Sequence, residues 1–311
     1  MPTHAVSAAT THHPKPTRQF AWYFLPLEGL LMALAYLPMP VLYLVSDFLR
    51  LLMQHGLKYR KKVIVSNLRN SFPEKSEAEI QQVATGFYRH LSDLIVEIVK
   101  LAAITPTELN RRITIVNGEL GDAYFAKGRT IMTLGSHFGN WEWVAPAAAM
   151  RWPGKVDAVY KPLSNKFFDY FVYRLRTRLG TALIPMRETM KDMETRRGEV
   201  RSLSMLCDQS PSKSKYAYWT RLLHQDTAFL TGADRLAVEY NCPVLYASIQ
   251  RAKRGHYTFT LHEIYDGNAT LNLAEHPITE AFARCIERDI RQQPSDYLWS
   301  HRRWKLKREE E

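Results

Sequence analysis

Cysteine is scarce: Cys207, Cys242 and Cys285 are the only three in a chain of 311 residues. They form no C-x-x-C pair and no histidine lies near them at zinc-finger spacing. The pattern predicts a reduced, cytosolic setting, without disulfides or a structural metal. Acidic residues are in deficit as well, 31 Asp+Glu against 42 Lys+Arg, for a net charge of +11. That balance favours an anionic partner: nucleic acid, acidic lipid head groups or an acidic protein. Internal repeats are absent, and no linker divides residues 56–305. What is present in quantity is hydrophobic residues, 46% of the sequence, which excludes disorder throughout and supports a sizeable core.

Residues 1–19 are rich in Thr, Ala, His and Pro and show no periodicity. They read as a disordered leader, with His12 and His13 in a solvated tail rather than at a metal. Composition then changes. Residues 24–46 carry one charge, Glu28, and as a single helix would be long enough to span a bilayer core of about 30 Å. Pro38 and Pro40 interrupt it, because each proline removes a backbone donor and clashes with the preceding turn. Two short helices follow, about 27–37 and 41–55, as a kinked span, a re-entrant anchor or a pair of buried core helices. A cleaved signal peptide does not fit, since the apolar stretch begins late and no small-residue cleavage site follows it.

Arg50, Lys58, Arg60, Lys61 and Lys62 come next, a basic collar worth roughly 1 kcal/mol per cation against anionic lipid. The positive-inside rule keeps residues 56–311 cytoplasmic. A membrane anchor accounts for the charge, so nucleic acid is not an expected partner. The organisation expected is a leader (1–19), a membrane anchor (20–55) and a catalytic domain (56–306).

Ser76 and Glu79 open a capping box before a long amphipathic helix that runs to Leu101. Beyond it, strand-like segments at 113–117, 130–135, 156–160, 182–185, 202–206, 242–250 and 257–264 alternate with helical ones at 166–179, 188–196 and 231–240. This predicts an α/β fold with a mostly parallel central sheet flanked by helices. The last two strands are placed to pair antiparallel through residues 252–256.

The chemistry centres on "LGSHFGNWEW", residues 134–143. "TIMTLG" reads as a buried strand and Asn140 as the cap of the helix that follows. His137 then lies at the carboxyl end of a strand, where open α/β sheets place ligands. His137 and Glu142 are five residues apart, about 140° around a regular helix, so they meet only if His137 precedes the helix and Glu142 sits in its first turn. In that arrangement Glu142 takes the proton of one ring nitrogen while the other nitrogen accepts one from a substrate hydroxyl. Gly139 allows substrate to approach the backbone, and the helix N-terminal amides are placed to support an oxyanion. By itself H-x-x-x-x-E is a short pattern that a structural histidine also produces. Cys207 has Asp208 beside it, which disfavours a thiolate, so it reads as a buried strand residue rather than a nucleophile.

The box behind an apolar N-terminus resembles the superfamily of glycerophospholipid acyltransferases. "SNLRNSFPEKS" (66–76), "CDQSP" (207–211) and "LWSHRRWK" (298–305) narrow the resemblance to the late lipid A biosynthesis acyltransferases, across about residues 20–306. It implies His137 and Glu142 as the catalytic pair. It also implies substrate binding at Gly139, Asn140, Asp208, His301, Arg302 and Arg303, and at an arginine after the box. Arg187 is the first choice for that arginine, in competition with Arg174, Arg176 and Arg178. "DQSPSKSKYAYW" departs from the "PDHDYG" form of many such enzymes, which bears on the acceptor.

The resemblance implies transfer of a fatty acyl chain from an acyl carrier protein or CoA thioester to a hydroxyl of an anionic lipid A precursor, at the bacterial inner membrane with the active domain facing the cytoplasm. No metal and no bound cofactor are expected. A lysophospholipid or aminolipid acceptor, and a non-catalytic membrane tether of the same fold, are the alternatives.

Overall fold

The computed structural model describes residues 13, 15–212, 214 and 217–308. The leader expected at 1–19 therefore falls largely outside the described residues. His13, which is described, is not solvated: its Nε2 lies 2.8 Å from Asp192 Oδ1.

Helices α1 (Leu25–Tyr36) and α2 (Met39–Leu51) are separated at Leu37–Pro38, where both residues are extended. The prolines thus break the chain where the sequence indicates. α3 (Lys61–Ser71) and α4 (Glu77–Lys100) follow. α4 opens on the Ser76/Glu79 capping box, with both reciprocal hydrogen bonds present. The α/β body then runs α5 (Pro106–Arg112), β1 (Ile113–Val116), α6 (Glu119–Ala126), β2 (Ile131–Gly135), α7 (Trp141–Arg151), β3 (Val156–Tyr160), α8 (Lys166–Thr177), β4 (Ala182–Pro185), α9 (Thr189–Thr195) and β5 (Ser202–Leu206). It closes with β6 (Ala217–Leu222), β7 (Gln225–Leu230), α10 (Gly232–Glu239), β8 (Val244–Lys253), β9 (His256–Tyr265) and α11 (Pro277–Gln292).

Seven strands form one sheet in the order β1-β9-β8-β2-β5-β3-β4. All neighbours are parallel except β8 and β9, which pair antiparallel, as expected from the sequence. Alternate residues of β8 feed two cores, Val244 and Tyr246 on one face and Leu245, Ala247 and Ile249 on the other, the consequence of period-two side-chain direction. α4 serves both: Ile80, Ala84 and Phe87 join the first core, Val96 the second. The separate hairpin β6–β7 was not anticipated. Its turn places Leu223 at φ 56°, whereas the usual hairpin signal is Asn or Gly.

The N-terminal segment is not one long apolar helix. Among the described residues no helix is long and apolar enough to cross a membrane. α1 and α2 are docked on the α/β body by polar contacts that a bilayer would not supply. Glu28 is buried and paired with Arg18 and Arg174, each at 2.9 Å. Tyr43 donates to Glu97 at 2.8 Å, Ser46 to Asp93 at 2.6 Å, and Arg254 bridges Asp47 and Asp93 at 2.8 and 2.6 Å. On the outer side Val41, Leu44, Phe48 and Leu51 are exposed; their three- and four-residue spacing makes one apolar stripe.

Candidate active site

β2 and β5 are parallel neighbours in register, with Gly135 opposite Leu206. Cys207 N donates to Gly135 O at 3.0 Å, extending the pairing one step beyond the strands. His137 and Asp208 each stand two residues past the paired ends, so the ladder itself brings them together. Asp208 Oδ1 lies 2.7 Å from His137 Nδ1, and its Oδ2 accepts the His137 backbone N–H at 3.0 Å. One carboxylate thereby fixes both the loop and the ring.

This corrects the pairing expected from the box. Glu142 does stand in the first turn of α7, but its oxygens accept from Arg176 of α8 at 2.8 and 2.6 Å and from the Trp141 indole at 3.1 Å. Buried carboxylates require paired charge, and the planar guanidinium supplies two parallel donors. Glu142 reaches His137 through its field rather than through a hydrogen bond.

Burial of His137 disfavours its charged form, but the Asp208 carboxylate and the bond to it outweigh that, so its pKa is raised above the ordinary imidazole value. Burial likewise opposes ionisation of Asp208 and Glu142. His137 and Arg176 respectively reverse the balance, and both acids are held below the usual carboxylate range. With Nδ1–H donated to Asp208, the neutral ring presents Nε2 as an acceptor. That nitrogen lies 3.2 Å from the Gln209 amide, and the ring meets Trp141 edge-on at 5.1 Å between centroids. The side chain is 16% exposed.

The remaining predicted residues divide. Asn140 caps α7 by accepting from Trp143 N at 3.1 Å, as expected, but it is fully buried and its amide donates to Glu97 at 2.7 Å. It is a structural anchor with no open face for substrate. Gly139 has φ +56°, and a Cβ there would stand 2.9 Å from Ile249 Cγ2. The space above it is filled by β8, so the glycine serves close packing and the loop's left-handed turn, not substrate approach. Arg174 is committed to Glu28, and Arg178 donates to Ile104 O. Arg187 is exposed on a 3₁₀ turn after the edge strand β4, separated from β2 by β5 and β3. Of the four arginines weighed, Arg176 is the one hydrogen-bonded to the box.

The C-terminal segment is not a solvated basic tail. Leu298 N donates to His137 O at 3.1 Å and Tyr297 bridges to Phe138, so this segment straps the loop that carries His137. Asn67 of α3 donates to Trp299 O and His301 O at 2.9 and 3.0 Å. Arg302 is exposed and His301 half-buried, whereas Arg303 is 2% exposed and cannot meet a phosphate at the surface. Beneath the site, buried Glu97 accepts from Tyr43, Tyr257 and Asn140. Burial pushes its pKa up to about 7 against those bonds. Sequence reasoning missed Glu97 and Gln209, for which no local pattern exists.

The thiol of Cys207 is driven up to about 12, by burial first and by Asp208 second, which removes it as a nucleophile. All three cysteines are free. Among the described residues no cluster of His, Cys, Asp and Glu is arranged to hold a metal ion.

A mostly parallel sheet flanked by helices, with a carboxylate-held histidine at its strand ends, defines an α/β protein. Residues 10–306 match the family model described as bacterial lipid A biosynthesis acyltransferase, and the chain belongs to that family. It is therefore an acyltransferase. It is similar to the lipid A biosynthesis lauroyltransferase of Escherichia coli (strain K12), 27% identical over 289 residues and 90% of each chain. It is also similar to the lipid A biosynthesis palmitoleoyltransferase of that organism, 23% identical across 94% of this chain and 93% of the relative. A lipid A biosynthesis acyltransferase of Shigella flexneri matches to the same extent.

Proposed function

We propose that the protein moves a fatty acyl chain from an acyl carrier protein or CoA thioester to a hydroxyl of a lipid A precursor. The observation that carries this reading is the 2.7 Å contact between His137 Nδ1 and Asp208, which makes Nε2 the acceptor nitrogen of the neutral ring. A substrate hydroxyl takes the place of the Gln209 amide and gives its proton to Nε2. The alkoxide oxygen attacks the thioester carbonyl carbon, and the resulting oxyanion is stabilised by the positive N-terminal end of α7. Collapse breaks the carbon–sulfur bond, and the leaving thiolate takes the proton back from the imidazolium. Ester and thiol result, and no covalent enzyme intermediate is involved. Glu142 and Arg176 act beside the ring as an ion pair that fixes the first turn of α7.

The protein works at a membrane surface in this reading, with the α2 stripe set into the interface and exposed Lys58, Arg60, Lys61 and Lys62 against anionic head groups. The cytoplasmic face of the bacterial inner membrane supplies both. A lysophospholipid or aminolipid acceptor would use the same proton transfer. Incubating membranes with labelled acyl carrier protein and CoA thioesters, then identifying the labelled lipid, separates these acceptors. Label in phospholipid or aminolipid alone overturns the lipid A assignment.

A further inference from the structure

Glu97 stands in the last turn of α4, fully buried, and side chains from three other elements donate to it. Tyr43 of α2 reaches Oε1 at 2.8 Å, while Tyr257 of β9 and Asn140 at the head of α7 share Oε2, each at 2.7 Å. Its backbone carbonyl accepts the Trp143 indole N–H at 2.9 Å. The N-terminal helix pair therefore meets the head of α7 at one carboxyl group.

That group decides which way the Asn140 amide faces. Oε2 accepts, so Asn140 turns Nδ2 toward it, and Oδ1 is left facing α7, where it accepts Trp143 N–H at 3.1 Å. Without an acceptor at that place the amide can reverse. Its NH2 would then face a helix N–H and cap nothing. Asn140 follows His137 by three residues, and the backbone between them is held at Gly139 N by Asp296 O at 3.0 Å. Loss of the cap would release the other end of the same loop.

α2 supplies the remaining restraint. Among the described residues Tyr43 is the hydrogen-bond partner of Oε1, and Tyr43 is itself held in place. Arg254 lies over its ring at 4.4 Å from the centroid and donates to its carbonyl oxygen at 3.3 Å. At Gly255, in the β8–β9 turn, φ is +72° and a Cβ would collide with the Tyr43 hydroxyl. The turn thus leaves the hydroxyl its place.

We propose that Glu97 is a positioning residue which, together with Tyr43, fixes the Asn140 amide and through it the His137 loop and the first turn of α7. α2 is then part of the catalytic scaffold, a role separate from any contact its outer stripe makes with lipid. The inference rests on the reading of His137 as general base.

The test is kcat and KM for acyl transfer by the full chain, from a fatty acyl thioester to a lipid A precursor dispersed in detergent micelles. A weaker grip on the micelle shows in KM, whereas a misplaced loop shows in kcat. Tyr43→Phe keeps the ring and removes the hydroxyl; kcat should fall about three- to tenfold, with KM within about twofold of wild type. Glu97→Leu should lower kcat by about 100-fold, the scale of a 1 Å misplacement. Glu97→Gln retains an oxygen for Asn140 and should recover most of that loss. Adding Tyr43→Phe to Glu97→Leu should cost nothing further, because both break the same set of contacts. Should Glu97→Leu fail to fold, Tyr43→Phe, which leaves the other donors in place, carries the test alone. Wild-type kcat in Tyr43→Phe, an effect confined to KM, or losses that multiply in the double variant overturn the proposal. A His137→Ala protein with wild-type activity would instead overturn the general-base reading itself.

Discussion

Arg176 grips Glu142 with two hydrogen bonds, at 2.8 and 2.6 Å, and so takes up the carboxylate that the H-x-x-x-x-E spacing assigns to the histidine. Asp208, from a strand distant in sequence but adjacent in the sheet, holds the ring instead. Two acids therefore have separate partners, one the His137 ring and one the arginine of the helix beside it.

If His137 is the base, His137→Ala should lower the rate of acyl transfer by about 100- to 10,000-fold. Asp208→Asn keeps the shape of the side chain but can turn an amide N–H toward Nδ1, selecting the wrong tautomer. A loss of at least about 100-fold is expected, with circular dichroism unchanged. Near-normal turnover by Asp208→Asn would rule out its orienting role.

Arg176→Met leaves the buried Glu142 carboxylate without its partner. Denaturant unfolding should show a loss of about 3–5 kcal/mol, and adding Glu142→Gln should recover most of it. Two separately destabilising changes that simply add would contradict the pairing.

The raised pKa of His137 fixes the sign of the pH response. The ring is neutral, and able to take a proton, only above that pKa, so kcat/KM should fall as pH drops through a limb above about 6.5. The linked stability runs the other way: the His137⁺–Asp208 pair stabilises the fold below the unfolded imidazole pKa and loses that contribution as pH rises through the raised one. A limb at or below 6.5 in a pH–rate profile would show that burial, not Asp208, dominates the ring.

Exposed Leu44 and Phe48 lie on the apolar stripe of α2, away from the polar contacts that dock it. Leu44→Glu with Phe48→Glu should abolish co-sedimentation with anionic vesicles and leave the thermal transition within a few degrees of wild type. Raising salt should weaken binding of the unaltered protein, because the collar charges are screened within about 10 Å at 0.1 M. Undiminished vesicle binding by the double variant would place the membrane contact elsewhere.

Much of this was legible in the sequence because it is local. Prolines broke the N-terminal helices, Ser76 and Asn140 capped theirs, and apolar runs marked all seven strands of the main sheet; these signals act over a few residues. How 24–46 packs was not local. Glu28, Tyr43, Ser46 and Asp47 find partners 10 to 207 residues away, and those partners dock the two helices on the rest of the chain. The acid that meets His137 was hidden for the same reason. Sequence patterning determined that a histidine would sit at the end of β2, whereas the tertiary structure decided that β5 lies beside it in parallel register. Strand order follows from packing both faces of the sheet, a property of the whole chain, and that order makes Asp208 rather than Glu142 the hydrogen-bond partner of His137.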